Sequence, residues 1–559
     1  MFTSNTTQLI HGNPISSGLA EGILHVHRSL LGPIDAGLKD IAHYSAENEL
    51  AQLDDATAKI SDDLLALALR VEKEIDARLA RVFEVHQLIV NDSSLREELR
   101  KEIVDNLVSA SSAVKSVFLR WEKRFLLMES HVARNKSDDL RDVSIRLRNA
   151  LAGITVHPLD EIPVGCVLAI SRLLPSDTVF LFGRNTAAVL LEFGSTGSHA
   201  ALFTREMNLP CISGIDSHSA ALPDGAYALV DANAGMVTIR PRKKQVADFH
   251  KIISDKKVLD DLARTHALTP ALTLNNVRIN VYANVGCDED TRRAMYNGAE
   301  GVGLYRMERV YLGSVVPPRA DELLGEMRRT LEPAKGHIVC VRLLDIGGDK
   351  PMPFLKFMAE TNPSLGRRGI RLLREYPDLL LTHLRAVLEL AADFEVCVLV
   401  PLVTLPEDVA LVKHHLAQIG SQRSMSSLPK IGAMMETPAA ALSAREIARH
   451  ADFLSFGTND LTQYAFAADR ENAAVESYFN DASDVIFRML QIVHDDVPDM
   501  PLSICGELAG RPQYTSRLLH CGIRTFSVAP SLIPVIKEAI RNSSTELLPA
   551  ATRVTVLDR

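Results

Sequence analysis

Eight short apolar runs recur in the second half of this 559-residue chain, each followed by a stretch with helical spacing. They cover residues 278–285, 301–305, 338–344, 396–403, 431–435, 453–456, 501–505 and 525–528. Several are hydrophobic almost without interruption, the signature of parallel strands buried on both faces rather than of a sheet with one wet side. Parallel strands that alternate with helices need right-handed crossovers, and eight of them over 269–559 fit one closed (β/α)8 barrel of the TIM type. Barrel chemistry gathers where the strands end, so the polar residues after each run are the candidates.

Arg306 follows the second run, with Glu308 close behind. The third leads through Arg342 to Asp345-Ile-Gly-Gly-Asp-Lys350. Glu436 ends the fifth, and Gly457-Thr-Asn-Asp460 ends the sixth, with Arg470 shortly after. The seventh closes on Cys505-Gly-Glu507. Any one of these reads equally well as a surface ion pair capping the barrel. As a set at corresponding strand ends they describe a hard-cation site beside an anion clamp. Mg²⁺ takes one or two carboxylates, here Glu436 and Asp460, plus substrate oxygens and water, while arginine forks match carboxylate and phosphate.

The first half carries a different signal. Gly194-Ser-Thr-Gly-Ser-His199 places one histidine on small neighbours just before an apolar helical stretch. A ring nitrogen can accept a phosphoryl group at neutral pH, although a lone histidine after Gly and Ser also reads as a capping residue. Residues 44 to about 150 are helical, with Leu50, Leu53, Ala56, Ile60, Leu64 and Leu67 forming one stripe. Ser94-Leu-Arg-Glu97 has the capping-box pattern that opens a further helix. His86 reads as structural. Around this block, residues 1–25 and 152–240 show short strands such as 166–170, 188–191 and 228–230, a small α/β domain interrupted by the helices. The charged stretch 241–268 reads as a helical linker.

The chain resembles enzyme I of the bacterial phosphoenolpyruvate-dependent sugar phosphotransferase system. The stretches that carry the likeness are Gly298-Ala-Glu-Gly-Val-Gly-Leu-Tyr-Arg306, Asp345-Ile-Gly-Gly-Asp-Lys350, Met435-Glu-Thr-Pro-Ala-Ala440, Gly457-Thr-Asn-Asp-Leu-Thr-Gln-Tyr464 and Cys505-Gly-Glu-Leu-Ala-Gly510. The resemblance implies an α/β multidomain protein: a swivelling phosphohistidine domain (1–25 and 152–240), an inserted helical domain that docks the acceptor HPr (26–151), a linker (241–268) and a phosphoenolpyruvate (PEP)-binding barrel (269–559). His199 would be phosphorylated through Nε2, releasing pyruvate, and would then pass the phosphoryl group to a histidine of HPr for sugar uptake. Cys505 would protonate the enolate. Arg306, Arg342, Asn459, Asp460 and Arg470 would hold PEP, with Lys350 and Arg368 around them, and Glu436 and Asp460 would bind the Mg²⁺ cofactor. A homodimer through the barrel domain is also implied. Related dikinases and synthases need an ATP-grasp region, for which this chain shows no segment.

Some positions depart from the family pattern. The histidine loop usually reads Gly-Gly-Arg-Thr-Ser-His, so a glycine, an arginine and a threonine have changed in this chain. Thr204 stands where alanine is common, Met307 replaces a threonine, and Arg309 replaces an aromatic. The tail after Ser543 is short. The altered loop motivates an alternative, a catalytically weakened regulatory paralogue that binds PEP or an HPr-like partner; another is a barrel enzyme acting on PEP directly. Preserved Arg306, Glu436, Asp460 and Cys505 favour the phosphotransferase.

Composition adds exclusions. A net charge of −9 argues against a nucleic-acid surface. No apolar run of membrane-spanning length and no secretory leader is visible, so a cytoplasmic protein without membrane insertion is expected. Seven cysteines without a C-x-x-C pair fit a reducing compartment, and all but Cys505 read as inert thiols.

Overall fold

The β-branched and aliphatic runs of the second half form strands that close on themselves. The computed structural model describes residues 6–27, 44–74, 77–126, 131–154, 157–194, 199–207, 209–215, 222–312, 316–347, 354–355, 360–470, 472, 475 and 478–546. It divides into two compact units, residues 1–253 and 254–559.

In the first unit, strands β1 (Gln8–His11), β2 (Asn13–Ser16) and β3 (Leu19–His27) precede five helices: α1 (Ala46–Glu74), α2 (Ala77–Val90), α3 (Ser93–Asn106), α4 (Ala110–Leu126) and α5 (His131–Leu151). Then come β4 (Val167–Ile170), α6 (Pro175–Gly183), β5 (Ala188–Leu191), α7 (His199–Glu206), β6 (Cys211–Ser213), β7 (Tyr227–Asp231) and β8 (Met236–Ile239). All eight strands share one sheet in the order β1-β8-β7-β3-β4-β5-β6-β2. Its centre, β3-β4-β5-β6, is parallel, and its flanks are antiparallel.

The predicted α1 stripe is core: Leu53, Ala56, Ile60 and Leu64 are buried, with Leu50 and Leu67 packed at the margin. One local expectation needs correcting. Asp92, not Ser94, caps α3, its carboxylate accepting the Leu95 N–H at 2.8 Å. A carboxylate one position before the helix satisfies the free N–H groups and complements the dipole better than a hydroxyl already inside the first turn. Helix α8 (Lys243–Thr265) follows the sheet.

The second unit is the barrel. Strands β10 (Arg278–Val285), β11 (Gly301–Tyr305), β12 (Ile338–Arg342), β13 (Glu395–Val400), β14 (Lys430–Met435), β15 (Phe453–Phe456), β16 (Leu502–Ile504) and β17 (Thr525–Val528) pair in parallel. β10 pairs with both β17 and β11, which closes the ring, and short β9 (Ala271–Leu272) adds antiparallel to β10. β13 stops three residues before the apolar run does. Leu402 adopts a left-handed φ of 52° and turns its N–H onto the Glu436 carboxylate, so the chain leaves the sheet to serve the site.

One buried group makes the barrel acid-sensitive. His383, on the helix Pro377–Leu390, is 0% exposed and neither ring nitrogen has a hydrogen-bond partner among the described residues. Burial pushes its pKa down to about 4. Unfolded chains bind that proton near the ordinary value of 6.5, so its contribution is intact above pH 6.5 and is lost as pH falls toward 4. The loss reaches about 2 kcal/mol by pH 5. His383→Leu is expected to shrink the difference in urea midpoint between pH 7 and pH 5; an unchanged difference would remove His383 as the cause.

Candidate active site

The side chains named from the strand ends converge at the carboxyl end of the barrel. Arg342, the last residue of β12, is buried and pairs with Glu308 at 2.6 Å and Asp345 at 3.0 Å. Burial works against its charge, but Glu308, Asp345 and Glu436 outweigh it and raise the pKa. Arg368 reaches the same carboxylate cluster, 3.1 Å from Asp345 and 2.9 Å from Asp460. Arg470 stands farther from Asp460, at 4.0 Å.

Arg306 differs from the others. It follows β11 directly, is exposed, and makes no ion pair or side-chain hydrogen bond among the described residues. Desolvation first, and then repulsion from Arg342, lower its pKa. A side chain accessible to solvent yet crowded by protein stands inside a concave rim, where an anion would find an uncommitted guanidinium.

Glu436 follows β14 and is 1% exposed. Burial, and then the negative charges of Asp460 and Asp345, push its pKa up to about 8. Gly457 makes this approach possible, because a Cβ there would lie 2.5 Å from Glu436 Oε2. Gly347, at φ +114°, has a similar duty: it bridges to Arg368, and any Cβ would strike the Arg367 carbonyl at 2.0 Å. Asn459 and Asp460 occupy the first turn of the helix Thr458–Phe466, whose amide end favours negative charge. Asn459 Oδ1 accepts the Glu507 N–H at 2.9 Å, which ties this helix to the segment after β16.

Cys505 heads that segment and is 3% exposed. Its thiol donates to the Phe456 carbonyl at 3.5 Å and accepts from Ser455 Oγ at 3.6 Å. Burial raises its pKa above the ordinary 9.0, with Ser455, Arg306 and Arg342 pulling the other way. The group is therefore a thiol at neutral pH, the form that can give a proton.

The carboxylates fit a divalent cation. Glu436, Asp460 and Asp345 repel one another in a buried site, and a hard cation would relieve that strain. Among the described residues no three His, Cys, Asp or Glu side chains form a complete cage. Two carboxylates with the remaining positions left to substrate and water is the arrangement Mg²⁺ favours. In this structure both Asp460 oxygens accept from Arg368, so that arginine would share the carboxylate with the cation.

A family model described as the PEP-binding domain of PEP-utilising enzymes matches residues 261–545. The chain belongs to this family. The models for the N-terminal and mobile domains of PEP-utilising enzymes match residues 11–136 and 162–235. The phosphoenolpyruvate-protein phosphotransferase of Geobacillus stearothermophilus is 31% identical over 94% of this chain and 92% of its own length. That of Haloferax volcanii is 34% identical over 89% and 87%. A solution NMR structure of an Enzyme I protein covers 44% of this chain at 23% identity and a TM-score of 0.38.

Within this PEP-utilising barrel, the structure joins Arg306, Arg342, Arg368, Arg470, Glu436, Asn459, Asp460 and Cys505 at one end. Lys350 lies outside the described residues. His199 begins α7, but its side chain and residues 195–198 also lie outside them. Two groups were not singled out from sequence, Ser455 and Asn284, and Asp345 was visible only as the start of its motif, without a role. Asp345 bridges Arg342 and Arg368, Ser455 donates to the Cys505 sulfur, and Asn284 Nδ2 donates to the Cys505 carbonyl at 3.1 Å. Ser455 and Asn284 sit inside strands, where an inward polar side chain among apolar neighbours was the available clue.

Proposed function

We propose that this chain is a phosphoenolpyruvate–protein phosphotransferase that phosphorylates itself on His199 and passes the group to a histidine of an HPr-like carrier for sugar uptake. The observation that carries the reading is the convergence of an uncommitted arginine, a buried carboxylate pair and a protonated thiol at one barrel rim. Arg306, Arg342, Arg470 and Asn459 orient the phosphate and carboxylate of PEP, with Lys350 and Arg368 beside them. Nε2 of His199 attacks phosphorus in line, so that a P–N bond forms as the P–O bond to the enol oxygen breaks. Arginines set in place before the reaction meet the charge on the equatorial oxygens. The enolate takes the Cys505 proton at its methylene carbon, which gives pyruvate and leaves a thiolate beside Arg306 and Arg342. Mg²⁺ bound by Glu436 and Asp460 would supply further neutralisation of the PEP oxygens.

In this reading residues 1–25 and 152–240 carry the histidine, 26–151 receive the acceptor, 241–268 link them to the barrel (269–559), and the barrel pairs two copies in the cytoplasm. Exposed Leu65 and Leu69 on α1, with Val85 and Leu88 on α2, offer the helical segment an apolar docking face. No helix among the described residues is long and apolar enough to cross a membrane.

The test is an intact-protein mass spectrum after mixing with PEP and Mg²⁺. Gain of one acid-labile phosphoryl group with release of pyruvate is expected; PEP binding without added mass would reject the reading. Cys505→Ala is expected to bind PEP normally and to form phosphohistidine about 10²–10⁴-fold more slowly, the usual worth of a general acid. Rapid-quench phosphorylation at the wild-type rate would take the proton-donor role from Cys505.

A further inference from the structure

The junction between the helical segment and the sheet of the first unit is closed by a buried polar contact. Asp142 on α5 is 1% exposed. Its Oδ2 accepts the Ser176 N–H at 2.9 Å and its Oδ1 accepts the Ser176 hydroxyl at 2.7 Å. Ser176 lies in the first turn of α6, behind Pro175, which has no N–H to offer. Asp142 therefore caps α6 from another body of the fold. Capping side chains ordinarily come from the residue just before the helix, where they cost little order to place.

Two features make this contact separable. Asp142 also accepts from Arg146 Nε at 3.2 Å, one turn along its own helix. If α6 withdrew, the carboxylate would keep a cation and the serine groups would pass to water. The ion pair beside it is partly open to solvent. Arg172 pairs with Asp138 at 3.0 Å in a half-exposed position, and Val179 of α6 and Phe203 of α7 contribute to the helical core. Phe203 packs edge-on to Phe83, with centroids 6.2 Å apart, and it sits one turn from His199 on the same helix. Whatever holds α6 against α5, and Phe203 of α7 against Phe83 of α2, thus fixes where the His199 helix begins.

We propose that Asp142 and Ser176 form a latch that holds the His199 body against the helical segment, and that releasing it lets His199 reach PEP. The inference rests on the functional reading above, in which one histidine serves two partners in turn. Asp142 and Ser176 are positioning residues, for they act through α6 and α7 and touch no reactant. While the latched state dominates, the observed rate of phosphorylation from PEP scales with the small unlatched fraction. Weakening the latch raises that fraction and speeds the step.

The experiment uses the full chain with PEP and Mg²⁺, comparing wild type, Asp142→Asn and Ser176→Ala by rapid-quench phosphorylation. Both variants are expected to phosphorylate His199 at least threefold faster at saturating PEP. Deuterium exchange at residues 174–178 should rise at least tenfold in wild type during turnover. A purely structural role lowers thermal stability and leaves the rate unchanged or reduced, and either rate result overturns the latch. Should a variant fail to fold, the exchange measurement on wild type decides alone: unchanged protection during turnover overturns it. Wild type that takes up no phosphoryl group rejects the functional reading and the latch with it. Uptake with unaltered variants rejects the latch only.

Discussion

His199→Ala is expected to take up no phosphoryl group from PEP while still binding PEP at the barrel. The contrast follows from the division of labour in the chain. The proposed binding groups Arg306, Arg342, Arg368, Glu436 and Asp460 all belong to the unit 254–559, whereas His199 opens a helix of the unit 1–253. Deleting the imidazole leaves the anion clamp whole and removes the only group assigned to receive phosphorus. Isothermal titration with PEP and Mg²⁺ should give wild-type affinity within about twofold, because an interaction made only during transfer does not enter ground-state binding. Phosphoprotein in the variant would show that another residue is the acceptor. Turnover of PEP without phosphoprotein would instead favour a barrel enzyme that acts on PEP directly.

Arg342→Met is expected to be the most damaging single change in the barrel. The guanidinium is 8% exposed and neutralises Glu308 and Asp345 at 2.6 and 3.0 Å. A thioether of similar length fills the space but strands buried Glu308 and leaves Asp345 to Arg368 alone, and breaking a buried pair costs about 3–5 kcal/mol. For a domain of this size that lowers Tm by roughly 10 °C. Loss of a prepositioned donor to the transferring group costs a further factor of about 10²–10³ in rate. Arg342→Lys should recover much of the stability and little of the rate, because an ammonium neutralises charge without the fork. Wild-type kcat and KM for PEP in a folded Arg342→Met protein would remove this residue from the site.

Much of this site was legible because barrel geometry turns sequence order into spatial order. Once the eight runs are strands, the residues that follow them must share a rim, and Arg306, Arg342, Glu436, Asp460 and Cys505 do. What escaped was the chemistry between them. Whether Arg342 faces substrate or is already neutralised depends on the 2.6 Å contact to Glu308, and spacing does not encode a side-chain distance. The same holds for Asp345, whose motif was visible but whose bridge to Arg368 spans 23 residues. The end of β13 was misplaced because an apolar run continues after the backbone has turned to feed Glu436. Hydrophobicity reports burial, and residues 401–403 are buried without being strand. In the first unit the helical stripe was clear from its period, while the cap of α3 was assigned two residues too late.

The sheet of the first unit also sets a schedule. Its strand β3 lies between β4 and β7, yet β7 begins 200 residues after β3 ends. At about 5–20 residues per second, a ribosome needs roughly 10–40 seconds to supply that partner. During that interval five helices can emerge and pack on their own core, while the earliest strands have no lasting neighbour. Nascent chains of this protein should therefore expose an unpaired strand edge through roughly the first two-fifths of their synthesis, and chaperone capture should fall away only after residue 239 has left the exit tunnel.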